Sequence, residues 1–227
     1  MISKSQLLVT WAGLLISAWP LDMVVESFVQ RLPPKSLLRA TDTVVHGLIG
    51  GFSYLMACII CPDLVLHIFR CLPFLRFGSG TNKHEALDTL FSFCVAFMIS
   101  CCVDLDHIIM DVMQIKRMPF QRGWFHLSLF PLGLTIIFYL SALPFHSQYC
   151  VISATLSILC ILSHHIRDGV HHGLDFYPFG TTPVLPYWLY IILTLTLPIS
   201  SSYLSSSLIR QLKPSLDSLT QSSMHMV

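Results

Sequence analysis

Tyr149-Cys-Val-Ile-Ser-Ala-Thr-Leu-Ser-Ile-Leu-Cys-Ile-Leu162 carries no charged residue, and it runs straight into Ser163-His-His-Ile-Arg-Asp-Gly-Val-His-His-Gly-Leu-Asp175. The first part is an apolar run of helical length. The second packs His164, His165, His171, His172, Asp168, Asp175 and Arg167 against its end. Ionised groups beside an apolar segment cost free energy unless they are paired or ligated. The stretch therefore reads as a buried or membrane helix that terminates in a site.

The rest of the chain fits a membrane solvent. Of 227 residues, 54% are apolar and only 11% charged, against about 25% charged in soluble domains, and the mean hydropathy is +0.69. That is too little polar surface for a water-soluble domain, so the expected class is all-α, a multi-pass transmembrane bundle of five or six helices with the lipid bilayer as its main partner. The net charge of +1 gives no bulk attraction for nucleic acid or another polyanion. The eight cysteines lie mostly inside apolar runs, which disfavours a disulfide framework. Cys58 and Cys61 form a C-x-x-C, but Ile59 and Ile60 between them point to small core residues rather than redox chemistry.

Hydropathy and helix breakers divide the chain into segments near 6–30, 43–69, 86–113, 126–143, 149–171 and 184–208. A span needs about 20 apolar residues. The second, third, fifth and sixth segments meet that length; the first is interrupted by Pro20, Asp22 and Glu26, and the fourth is short. Lys4 before Leu7–Ala18 has the outline of a signal peptide, but the continuation through Pro20 to Val29 reads better as a retained, kinked helix. Residues 1–208 are expected to form one transmembrane domain and 209–227 a polar, serine-rich disordered tail. Lys and Arg divide equally between the two faces of an alternating bundle, so the positive-inside rule assigns no orientation.

Alternation itself is more informative. Asp42 and His46 open the second segment, Asp104, Asp106, His107 and Asp111 close the third, His126 opens the fourth, and His164 and Asp168 close the fifth. In an up-down bundle those four ends share one membrane face. Within it, Asp42/His46, His107/Asp111 and His164/Asp168 are i, i+4 pairs, which places each pair on one helix face with Cβ atoms about 5–6 Å apart. Imidazole plus carboxylate is a ligand set for a divalent metal: Zn, Mn or Fe rather than calcium. Plainer roles exist for each residue alone. Asp42 suits a helix N-cap, His164 with Asp168 suits an interhelical hydrogen bond, and His171 and Asp175 suit a solvated connector. Arg122 and Arg167 on the same face fit either an anion or, more simply, the surplus aspartates. Pro178-Phe179-Gly180-Thr181-Thr182-Pro183 reads as an interfacial anchor or as a lid over the cluster.

These motifs also carry a resemblance. His46 with Gly50, Asp104-Leu105-Asp106-His107, Arg122-Gly123-Trp124-Phe125-His126, and His164 with Asp168 then Gly180 follow, in order, a pattern similar to that of bacterial LexA-binding, inner-membrane metal-dependent hydrolases. The resemblance implies a membrane fold with a metal site. Gln121 stands where that family has a histidine, Phe125 where it has threonine, Ser128 lies one place late, and Pro186-Tyr187-Trp188 replaces a Trp-Pro, so it carries fold and site further than catalysis. The run Ser163–Gly169, with Pro178-Phe179-Gly180 and Leu185-Pro186-Tyr187-Trp188-Leu189-Tyr190, is similar over most of the chain to the eukaryotic transmembrane protein 267 family.

The expectation from residues and resemblance together is a metal-dependent hydrolase at the membrane interface, its small-molecule or lipid substrate and protein partners left open. His46, Asp104, His126, His164 and Asp168 are its metal ligands, and Asp106 and His107 its catalytic candidates, one or the other serving as ligand or general base. The alternative is a non-enzymatic membrane protein whose cluster is a structural metal or hydrogen-bond site. A conduit for metal or protons needs ionisable groups along the whole membrane path, and here they gather at one end.

Overall fold

In a computed structural model, residues 4–20, 23–24, 27, 35–66, 81–105 and 124–224 are described. They form six helices: α1 Lys4–Ala18, α2 Lys35–Ile60, α3 Thr81–Cys102, α4 Leu129–Ala142, α5 Gln148–His172 and α6 Tyr187–Met224. Sheet structure among the described residues is limited to isolated bridges from Asp175 to Leu127 and Thr181. The all-α bundle expected from composition is the observed fold.

Four helices are long and apolar enough to cross a membrane, through the windows Ala40–Ile60, Glu85–Cys102, Gln148–His172 and Tyr187–Leu212. The windows in α2 and α5 are 61% and 67% buried, those in α3 and α6 only 22% and 28%. The first two therefore form the centre of the bundle, and both carry candidate site residues. Large apolar side chains such as Leu90, Met98, Ile136, Leu140 and Ile192 point outward, as expected where the surrounding solvent is lipid.

Close packing depends on small residues along α2, the usual basis of helix association where lipid removes the hydrophobic drive. A Cβ on Gly50 would lie 2.6 Å from Ser100 Cβ, and one on Gly47 would lie 2.6 Å from Cys101 Sγ, so α3 is drawn against α2 at the level of the site. Farther along, Tyr54, Ala57, Cys58, Cys61, Leu159 and Cys160 share a buried cluster. Cys58 and Cys61 are both 3% exposed within it, so the C-x-x-C is core packing. Hydroxyls join three helices where apolar packing alone gives no register: Ser205 Oγ lies 3.0 Å from Tyr139 Oη and 2.8 Å from Thr155 Oγ1.

Three boundaries differ from the sequence expectation. Helix α2 begins at Lys35 rather than near 43, which places Asp42 inside the helix and removes its N-cap role. It ends at Ile60, where Pro62 opens a short 3-10 turn over Pro62–Leu64, because proline has no N–H to continue the ladder. Third, α6 does not stop at 208. Ile209 and Leu212 are 2% and 1% exposed in the core cluster, so burial carries the helix into the stretch expected to be disordered. The serines do not open it, because Ser200, Ser201, Ser202 and Ser206 bond back to carbonyls three or four residues earlier.

Candidate metal centre

The five sequence-derived ligand candidates come from four places in the chain. His46 lies on α2, Asp104 two residues past the end of α3, His126 in the 3-10 turn Trp124–His126 before α4, and His164 and Asp168 one turn apart on α5. Helix α5 reaches them through a π-helical segment, Ser157–Leu162. Extra residues per turn rotate the downstream side chains relative to a strict α-helix, and π segments are common beside functional sites. Downstream, Gly173 ends α5 at φ 76°, and a Cβ there would meet Thr182 O at 2.0 Å. Only glycine fits that position.

The connector after Gly173 holds the His126 turn. Ser128 N–H donates to Asp175 O (2.8 Å), Thr182 N–H to Leu174 O (2.9 Å) and Phe176 N–H to Gly180 O (2.9 Å). The Pro178 loop thus closes on itself and on Leu127–Ser128, while Phe179 and Trp188 are exposed.

The structure brings all five candidates together. His126 Nε2 lies 3.7 Å from both Asp104 Oδ1 and Asp168 Oδ2, and His164 Nε2 lies 3.4 Å from Asp104 Oδ1 and 4.0 Å from Asp168 Oδ2. His46 stacks on His164 with ring centroids 3.6 Å apart, and its Nε2 lies 3.2 Å from Asp168 Oδ1. The other two assigned residues, Asp106 and His107, lie outside the described residues, as do Asp22, Glu26, Asp111, Gln121 and Arg122.

Supporting bonds fix the orientation of these groups. His164 Nδ1–H donates to Ser100 O (3.1 Å), so Nε2 carries the lone pair. That Nε2 is buried and has no hydrogen-bond partner. Ser100 Oγ donates to His46 O (2.9 Å) and Cys160 O (3.0 Å), tying three helices beneath the cluster. Thr43 Oγ1 donates to Asp104 Oδ2 (2.6 Å), leaving Oδ1 for the histidines. Burial pushes the Asp104 carboxyl pKa up, but the imidazoles of His126, His164 and His46 and the Thr43 hydroxyl outweigh it and hold the group well below the usual carboxylate range.

Sequence reasoning passed over several of these groups. His165, not among the ligand candidates, is buried and donates from Nε2 to Phe125 O (2.7 Å), anchoring the turn that carries His126. Arg167 is 4% exposed and donates from Nη1 to His46 Nε2 (2.8 Å) and pairs with Asp42 Oδ1 (2.6 Å). The salt-bridge reading of Arg167 therefore describes the structure. Ser100 had one available signal, its i, i+4 spacing before Asp104; Thr43 had none. His171 and His172 are exposed on the last turn of α5.

The donor set fits a metal. Two imidazole nitrogens and two carboxylate oxygens suit Zn, Mn or Fe, and the groups His46/Asp104/His164 and His126/His164/Asp168 each have ligand atoms within 4.8 Å of one another.

The chain is similar to Transmembrane protein 267. The Bos taurus protein of that name is 34% identical over 113 residues, which cover 46% of this chain and 50% of the relative. Its Xenopus laevis counterpart is 36% identical over 109 residues, with the same shares. For the Danio rerio protein the identity is 33% over 167 residues, 71% of this chain and 64% of the relative. The chain spans about half the length of the first two curated relatives it matches. No family model matches, and no solved structure matches. The likeness to bacterial metal-dependent hydrolases draws no support from these relatives. Their names and the four membrane-length helices agree that this is an integral membrane protein.

Proposed function

We propose that this chain is a member of the Transmembrane protein 267 family whose His/Asp cluster binds a divalent metal ion near one end of the bundle, zinc before manganese or iron. One observation carries the reading. The four N···O separations among His126, His164, Asp104 and Asp168 are 3.4–4.0 Å, longer than the about 2.7–3.2 Å of an N–H···O bond. A tetrahedral zinc with bonds of about 2.0–2.1 Å has ligand atoms about 3.3–3.4 Å apart. The His164–Asp104 separation of 3.4 Å matches that spacing, and the other three are wider.

A bound divalent ion supplies Lewis-acid polarisation of a substrate oxygen and a more acidic water. The residues favour access from one side. The carboxylates of Asp104 and Asp168 are each 18% exposed, whereas His126 and His164 are 2% and 0% exposed. Substrate would therefore meet the carboxylate edge, and we assign the site to hydrolysis of a membrane-associated ester, with Asp106 and His107 as its general-base candidates. A second reading, a structural metal site, has its own support: the imidazoles of His126 and His164 are 2% and 0% exposed, and structural sites are closed.

Elemental analysis of the purified full chain tests the reading. After incubation with Zn²⁺ or Mn²⁺ and desalting, wild type should retain metal and His164→Ala and Asp168→Ala should not. Metal-free wild type after loading would overturn it. Retained metal without turnover of lipid esters would select the structural role.

A further inference from the structure

Asp168 faces two groups of side chains. Its Oδ2 looks toward His126 and His164, at 3.7 and 4.0 Å. Its Oδ1 lies 3.2 Å from His46 Nε2, which is itself 3.9 Å from Asp42 Oδ2. A carboxylate facing two ligand groups, built from facing helices, is the plan of a two-cation centre. In the outer group a cation is already present. Arg167 Nη1 lies 2.8 Å from His46 Nε2 and 2.6 Å from Asp42 Oδ1.

The tautomers of the two stacked histidines differ in consequence. Arginine has only N–H donors, so His46 Nε2 must accept from Arg167, and its proton sits on Nδ1. Both nitrogens are then committed, one to the guanidinium and one to hydrogen, and His46 has no lone pair for an ion. His164, stacked on it, directs its Nε2 lone pair into the inner group with no hydrogen-bond partner. Charge agrees. Among the described residues, Asp42, Asp104 and Asp168 bring three negative charges and Arg167 one positive. One divalent ion neutralises the remaining two, while two ions would leave a buried excess of positive charge.

We propose that the cluster is a two-cation centre whose outer position is permanently filled by the Arg167 guanidinium, so that the protein takes a single divalent ion, held by His126, His164, Asp104 and Asp168. This deepens the metal-binding reading and rests on it. His46 is then a positioning residue, acting through Arg167, and leaves the ligand set in which sequence and resemblance together had put it. Removing the guanidinium should convert a one-ion site into a two-ion site, because Asp42, His46 and Asp168 Oδ1 are left facing a vacated cation position.

The test is ion counting with Co²⁺ as the probe. The full chain in detergent is titrated, bound cobalt is measured by elemental analysis, and visible absorption reports each coordination event. Wild type and Arg167→Lys should each take one ion per chain, Arg167→Ala a second, and His46→Ala should keep one ion with affinity lowered about 10–100-fold, the usual effect of an outer-sphere group. Two ions in wild type, or loss of the ion in His46→Ala, would overturn the proposal while leaving metal binding intact. So would a single ion in an Arg167→Ala protein that still binds the first. Wild type with no ion overturns both readings. If Arg167→Ala does not fold, the wild-type count and His46→Ala decide.

Discussion

His164 Nδ1 lies 3.1 Å from the carbonyl oxygen of Ser100, so a backbone group of α3 sets the tautomer of an imidazole on α5. The same serine's hydroxyl reaches α2 and another point on α5. Orientation of the central ligand candidate thus depends on helix packing as much as on its own helix.

Replacing Ser100 by Ala should separate those roles. The carbonyl bond to His164 survives, so metal content should be unchanged, while loss of two buried hydroxyl contacts should cost about 1 kcal/mol. Thermal unfolding with and without loaded Zn²⁺ measures both. Loss of metal in this variant would show that the hydroxyl, not the carbonyl, organises the site.

Gly50 and Gly133 form a contrasting pair. A Cβ at Gly50 would sit 2.6 Å from Ser100 Cβ, whereas one at Gly133 meets nothing within 4 Å. Gly50→Ala should destabilise by about 1–3 kcal/mol through overpacking and weaken metal retention by parting α2 from α3. Gly133→Ala should be neutral, or stabilising by up to about 1 kcal/mol through helix propensity. Equal melting temperatures for the two variants would contradict this packing account.

At Gly173 a side chain meets both a positive φ and the Thr182 carbonyl. Gly173→Ala should cost at least about 1–2 kcal/mol and release the connector that holds Ser128 to Asp175. His126 would lose its support, so Zn²⁺ affinity should fall along with stability. Limited proteolysis within 173–183 and a zinc titration together check it.

His165→Ala removes the bond to Phe125 O and the ring beside His126 and His164 while leaving every ligand candidate unsubstituted. Metal affinity should drop by about 10–100-fold, and His165→Gln, which retains a donor, should recover part of it in the same titration.

Chelation provides a global check. An ion that binds only the folded state stabilises it by about 2.7 kcal/mol at a free concentration a hundred times its dissociation constant. Removing it should lower the melting temperature, and adding Zn²⁺ back should restore it. Asp168→Ala should show no response to either treatment.

Much of the fold was readable from residue order. A charge-free run such as 149–162, in a chain only 11% charged, reads as a membrane helix, and alternation of spans brings the ends holding His46, Asp104, His126 and His164 to one face. Helix ends were less legible. The polarity of the serines after 205 pointed to disorder, but Ile209 and Leu212 are buried by partners distant in sequence, and back-bonding hydroxyls make serine compatible with the helix. Asp42 looked like a cap because the apolar run begins beside it, although the helix itself begins at Lys35.

The sequence by itself determined the class of the protein, its membrane-length segments and the residues that gather at one end, because hydropathy and i, i+4 spacing are local properties. Only the tertiary structure decided how those residues divide. Arg167 against His46, Thr43 against Asp104 and Ser100 against His164 are contacts between helices, set by glycine-permitted close approach and by the π segment's rotation of α5. Those contacts decide which lone pairs remain open for an ion and which are already spent on the protein.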